Sequence, residues 1–367
     1  MASVAVVTAA GQDVRPAAEP GPAAAGSWVA GFYSGGLKPV PCWGACAPGS
    51  KGARDEAATR KRMAELKALN VRYVVNNETV VEAYRTAPRA FLAYLADLHA
   101  AGIAVSYSIA SGEGAWVAGA VFGTARANAL FAKTDLDGDG VSDLDGRLDV
   151  LYQGHEVLEW ATHDERVAIY GVAKKWFPTT PVSVYYAGFA RPTDPRFRAV
   201  RHPRGGVWAD YAYGPGEADI VHLGIRRNAS GTTIDGATGK AGWNPVAFRA
   251  EVVREVALVE AATPGRPVYV STNIAGDTTL KRSAAAMWTP GEIGEWWAAV
   301  TSVPGVRGLM LRSYGRFPYD LAYPAFTAQR ATWAALAAPP PAPTTEPPTT
   351  EPPAPTTEPP TTEAPPP

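Results

Sequence analysis

Carboxylates raise the first question. From Asp135 to Asp145 the chain reads DLDGDGVSDLD, five aspartates in eleven residues. Asp135, Asp137, Asp139, Gly140 and Asp143 spell DxDxDGxxD. Side chains at that spacing bring hard oxygen ligands around one point, the glycine permits the sharp turn, and the Val141 carbonyl falls where such loops add a backbone ligand. The expected ion is Ca2+, in a structural role. Glu156 is different: it stands alone after the apolar run LDVLYQGH. Asp210 lies between Trp208 and Tyr211, and Glu78 follows VRYVVNN. Two such carboxyl groups facing one another, one protonated and one ionised, are the equipment for cleaving a glycosidic bond.

Elements must exist to position these groups. Candidate strands are 28–34, 71–77, 103–110, 148–155, 181–188, 206–213, 266–274 and 306–314, and helical patterns fill 54–70, 87–102, 164–177, 245–262 and 323–338. Thr162 with Glu165 and Thr289 with Glu292 fit reciprocal capping boxes, and Asn244 before Pro245 fits a helix start. Strands alternating with helices over this length predict an α/β fold, a (β/α)8 TIM-type barrel. The region 189–244 is expected to be irregular, because 189–205 is too rich in proline for a clear helix. The stretch ADIVHLGIRR (218–227) reads as an extra strand or part of an elaborated loop.

Strand residues alternate between the helix side and the lumen. In the third strand Ile103, Val105 and Tyr107 suit the helices, and Ala104, Ser106 and Ser108 a narrow lumen. The same reasoning turns Leu148, Val150 and Tyr152 outward and Gln153 and His155 inward. It turns Trp208 and Asp210 inward, with Asn76, Ser183, Tyr185, Tyr269, Ser271 and Asn273. The eighth strand is ambiguous, with Arg312 and Tyr314 on one parity. The polar inward set gathers at the C-terminal strand ends, the face where such barrels keep their sites. The aspartate loop precedes the fourth strand, on the opposite face, which is associated with stability.

Three resemblances sharpen these expectations. The aspartate loop resembles the calcium loops of EF-hand-like, dockerin and thrombospondin-type repeats. It departs at the twelfth position, which is Gly146 in place of a bidentate Glu, with Asp145 nearby. Glu156, directly after the fourth strand, resembles the acid/base of many retaining glycoside-hydrolase barrels. Those usually carry Asn before that Glu and a nucleophilic Glu after the seventh strand; here the residues are His155 and, some way on, Asp277. From Pro339 the chain becomes PTTEPPTTEPPA and PTTEPPTTEAPP, similar to the Pro/Thr linkers of secreted bacterial glycan-degrading enzymes. Together they imply a secreted or cell-surface hydrolase of poly- or oligosaccharides. Glu156 would be the general acid and Asp210 the base or nucleophile, with Glu78 in reserve. Tyr33, Asn76, Gln153, His155, Tyr185, Trp208, Asn273, Arg312 and Tyr314 would hold the sugar. The rival reading is a non-catalytic glycan-binding barrel displayed on a stalk.

Composition sets the remaining bounds. With 34 basic and 35 acidic residues the net charge is -1, which gives no electrostatic case for nucleic acid. No apolar run is long enough to span a membrane. Eleven Trp and fifteen Tyr supply aromatic faces for packing and for sugar stacking. Cys42 and Cys46, the sole cysteines, suit a short-loop disulfide in an oxidising compartment. Residues 1–26 are expected to be a leader remnant or disordered arm, 27–338 the barrel and 339–367 a disordered linker, in a monomer.

Overall fold

The computed structural model describes residues 29–33, 37–108, 123–154, 161–187, 198–225, 227, 242–273, 287–312 and 326–338. The terminal arm, the Pro/Thr tail, His155, Glu156 and Tyr314 lie outside them. Eight strands pair in sequence order, all parallel, and close into a barrel. They are β1 (Val29–Tyr33), β2 (Tyr73–Thr79), β3 (Ala104–Ser108), β4 (Val150–Tyr152), β5 (Val182–Ala187), β6 (Ile220–Gly224), β7 (Val268–Asn273) and β8 (Val306–Arg312). The described helices are α1 (Lys51–Ala68), α2 (Val80–Thr86), α3 (Pro88–Ala100), α4 (Thr124–Phe131), α5 (His163–Trp176), α6 (Pro245–Ala262), α7 (Pro290–Thr301) and α8 (Thr327–Leu336). None is long and apolar enough to cross a membrane.

Local chemistry explains several starts. Thr162 accepts from the Glu165 amide while Glu165 reaches back to the Thr162 amide, and Thr289 and Glu292 do the same. Asn244 accepts from the Ala247 amide ahead of Pro245. Each box satisfies two amides that a helix start would otherwise leave bare. Between β1 and α1, Cys42 and Cys46 form a disulfide as expected. Gly52 is needed beside it, since a Cβ there would come within 2.4 Å of Cys42 Sγ.

The sixth strand corrects the sequence reading. GVWADYAY is not a strand; Trp208–Tyr211 is a single 3-10 turn, and β6 is the IVHLG segment. The amide of Val207 donates to Asp210 Oδ2 at 2.8 Å, which closes that turn. Alternation at 207–213 came from turn residues, whereas a strand buried on both sides shows no alternation at all.

Among the described residues no α-helix joins β5 to β6, so the crossover needs another anchor. Arg166 of α5 supplies it. Its guanidinium pairs with Glu217 and donates to the carbonyls of Ala161 and Ala212, both at 2.6 Å. Glu217 also accepts from Tyr186 OH and from the Gly214 amide at 3.0 Å. Both charged groups are almost fully buried. Asp219 then ties the entry to β6, accepting from the Val182 amide at 2.9 Å and from Tyr170 OH at 2.8 Å.

Removing one member of a buried ion pair leaves an uncompensated charge. Glu217→Ala is therefore expected to lower the unfolding free energy by about 3–5 kcal/mol in urea titrations. Lys61→Ala, at an exposed helix position, is expected to change it by less than about 0.5 kcal/mol. Equal effects from the two would remove this crossover account.

Candidate functional site

Register decides which residues meet inside the barrel. Tyr73, Val75, Val150, Tyr152, Tyr185, Ile220 and Met310 pack as one buried cluster, with Val29, Ala104 and Tyr269 against it. These line the lumen. Ile103, Val105, Tyr107 and Leu151 belong to the other cluster, facing the helices. The lumen parities expected for β3, β5 and β7 hold. In β4 the phase is reversed: Val150 and Tyr152 point inward, and Leu148 and Leu151 pack outward. Gln153 accordingly lies on the helix side, donating to the Arg166 carbonyl at 2.8 Å. Its expected place facing a substrate is overturned.

In β2 the phase shifts as well. Tyr73 and Val75 share the lumen parity, so Asn76 carries the parity of the outward Val74. The strand then bulges. Asn76 pairs with Tyr107 and Thr79 with the next residue, Ser108, which leaves Asn77 and Glu78 as an unpaired insertion. Bulges of this kind gather at barrel rims and beside active sites, where they re-aim a side chain.

Three expected residues come level at the carboxyl edge. Arg312 registers with Tyr33 on one side and with Asn273 on the other. Arg312 also has the parity of Met310, which settles the ambiguous eighth strand. Trp208 and Asp210 do not join this rim as strand residues. They belong to the β5–β6 crossover, where the Trp208 ring stands 4.3 Å from His202.

Barrel shear places alternate strands on common tiers. Val75, Tyr152, His222 and Met310 make one tier, with Ser108, Tyr185 and Ser271 above and Ser106, Ser183 and Tyr269 below. Glycines make room for the rings. A Cβ at Gly224 would fall 1.8 Å from the Tyr185 hydroxyl, and one at Gly308 within 2.8 Å of the Tyr269 ring. His222 stacks on Tyr269 at 5.5 Å and on Tyr152 at 6.1 Å, and its Nε2 meets Tyr73 OH at 3.3 Å. Desolvation in this interior lowers the His222 pKa to about 3, so its imidazole is neutral. Sequence reasoning passed over His222 and Tyr73. The burial of IVHLG on all sides was the signal available for the first, and the Val71, Tyr73, Val75 alternation for the second.

The aspartate loop sits on the far face. The Ser142 amide donates to the carbonyl of Trp176, the last residue of α5, at 2.8 Å, so the loop lies by the N-terminal strand ends. Asp135, Asp137 and Asp139 bring carboxylate oxygens within 4.8 Å of one another. Desolvation acts to raise the Asp135 pKa, but amide bonds from Gly140, Gly138 and Asp139 outweigh it and lower the value. Gly138 and Gly140 take positive φ of 80° and 88°, as the tight turn demands. Asp143 is not in that group of three; its Oδ2 accepts from Tyr84 OH and the Leu136 amide, each at 3.0 Å. Asp145 is committed elsewhere, to the amides and hydroxyls of Thr179 and Thr180.

No family model matches the chain, and no curated protein does. Solved structures with a similar barrel include a β-glucuronidase from an uncultured Clostridium sp., 10% identical with a TM-score of 0.45, covering 78% of this chain and 44% of that one. This chain therefore spans less than half of that enzyme. A β-glucosidase from Exiguobacterium marinum is 13% identical with a TM-score of 0.45, over 77% of this chain and 89% of that one. A chitinase from Pseudoalteromonas aurantia is 11% identical with a TM-score of 0.48, over 85% of this chain and 100% of that one. Similarity at this level concerns the barrel and assigns no residue a role.

Neutral His222 has a consequence for acid stability. The unfolded chain protonates this residue near 6.5 and the folded chain only near 3, so between those values the unfolded state binds more protons. Stability from this residue is present above 6.5 and declines as pH falls toward 3. From pH 7 to pH 5 the parent chain is expected to lose about 2 kcal/mol more than His222→Leu. Urea midpoints at the two pH values check this; parallel losses would contradict it.

Proposed function

We propose that the chain is a glycoside hydrolase whose carboxylate pair is Glu156 and Glu78, at the C-terminal mouth of the barrel. The observation that carries this reading is the β2 bulge, which sets Glu78 at the rim where barrels of this type hold their chemistry. Glu156 comes just beyond β4 in the chain, and a single strand, β3, separates β2 from β4. Neighbouring strands are about 4.8 Å apart, so the two strand ends stand roughly 10 Å apart. A gap of that width is compatible with the roughly 5–9.5 Å carboxyl separation that glycosidases use. Glu156 then protonates the leaving oxygen. Glu78 acts as nucleophile or as base on a water. Glu78 replaces Asp210 in this role because Asp210 sits in the crossover turn with an oxygen taken by the Val207 amide. Tyr33, Asn273 and Arg312, level at the edge, are suited to hold the sugar, with aromatic faces and hydrogen-bonding groups matched to a polyol.

The test begins with reducing-sugar release across a panel of common glycans. On the best substrate, Glu156→Gln and Glu78→Gln are each expected to lower kcat/KM about 10²–10⁴-fold with the unfolding transition unchanged. Intact hydrolysis in both variants would sink the assignment. Saturable glycan binding without hydrolysis by the parent chain would favour the display-type binding protein instead.

The same reading gives the aspartate loop a structural Ca2+, bound by Asp135, Asp137 and Asp139 with the Val141 carbonyl and the second oxygen of Asp143 as further ligands. Three converging carboxylates with glycines at the turn are an oxygen-only donor set, which suits a hard cation. Extracellular Ca2+ and the disulfide fit a secreted chain, with the Pro/Thr tail as its tether. Chelation is expected to lower the melting temperature and CaCl2 to restore it, with a free-energy difference of about 2.7 kcal/mol at a hundredfold excess over Kd. Asp137→Asn is expected to flatten that response. A melting temperature indifferent to chelator would count against the ion.

A further inference from the structure

Lumens of such barrels are usually filled by branched aliphatic side chains. This one is not. Ser106 Oγ and Ser183 Oγ meet at 3.1 Å. Tyr73 OH meets His222 Nε2. In one direction of that contact the Tyr73 hydroxyl donates to His222 Nε2. A neutral imidazole that accepts at Nε2 carries its own proton on Nδ1. That Nδ1 has no hydrogen-bond partner among the described residues, and His222 is 0% exposed.

A bare buried N–H is a costly thing to keep. Native interiors meet such groups with ordered water, provided the surroundings are polar. The surroundings here are polar: Ser108, Tyr185 and Ser271 occupy the tier above, and the Ser271–Tyr185 contact, at 3.4 Å, is long. An ion would be a poor fit, because the described residues of these tiers carry no charge to offset its desolvation. Water also suits either direction of the network. If the Tyr73 bond is reversed, Nδ1 becomes a bare acceptor, and water can donate to it.

We propose that one internal water molecule is seated on His222 Nδ1, bridging it to the hydroxyl tier of Ser108, Tyr185 and Ser271. The lumen then holds a hydrogen-bonded column that runs from Tyr73 through His222 and the water to just below the mouth. The inference stands on the lumen alone and is independent of the glycosidase reading.

A crystal structure of the parent chain at about 1.5 Å or better decides it directly. The expected result is water density about 3 Å from Nδ1 with at least one further protein partner. A protein acceptor at Nδ1, an ion there, or empty space would overturn the proposal. Magnetic relaxation dispersion of bulk water gives a second readout by counting long-lived internal waters. His222→Phe, which keeps a ring between Tyr152 and Tyr269, is expected to show one fewer than the parent; an unchanged count contradicts the seat. Where that variant does not fold, the parent crystal alone gives the answer.

Discussion

Closure of the parallel ring is the constraint on which everything else here depends. Once β8 hydrogen-bonds to β1, every strand has a neighbour on both sides, and its register can no longer slide. One residue of slip would exchange lumen and helix faces along a whole strand. The closed ring therefore fixes which side chains share the interior, and it gives the barrel two distinct ends. At one end lie the aspartate loop and the Asp145–Thr180 contacts. At the other lie the β2 bulge and the level set Tyr33, Asn273 and Arg312.

Departures from a regular barrel are compensated by specific chemistry. The β5–β6 connection lacks a described α-helix, and a buried Arg166–Glu217 pair with its backbone and Tyr186 partners stands in for helix packing. Rings in the lumen need space, and Gly224 and Gly308 provide it on adjoining strands. His222 stays neutral in a buried, stacked setting, so the interior is polar without being charged.

Much of this was legible in the chain. The alternation of Ile103 to Ser108, the two Thr–Glu boxes and the Asn244–Pro245 start each appeared as read, because each is a local pattern with a local cause. Three strands were misread for physical reasons. In β2 the polar type of Asn76 suggested an inward face, whereas Tyr73 and Val75 carry the lumen parity. Strand β4 has three residues, too few for periodicity to set its phase, and counting back to Leu148 crossed out of the strand. Strand β6 is buried throughout and shows no alternation, while the turn at Trp208–Tyr211 imitates one. The last two errors moved Gln153 and Asp210 away from the mouth. Glu78 gained standing from the bulge, a feature of pairing between strands that no single-strand pattern reveals.

In the proposed function the two ends have separate duties, chemistry at the carboxyl edge and stability at the aspartate loop. Hydrogen exchange with and without the tightest-binding glycan tests it most directly. Amides at 76–79, 273 and 312 are expected to gain protection, with 135–145 unchanged. Protection confined to 135–145, with the carboxyl edge unaffected, would contradict the account.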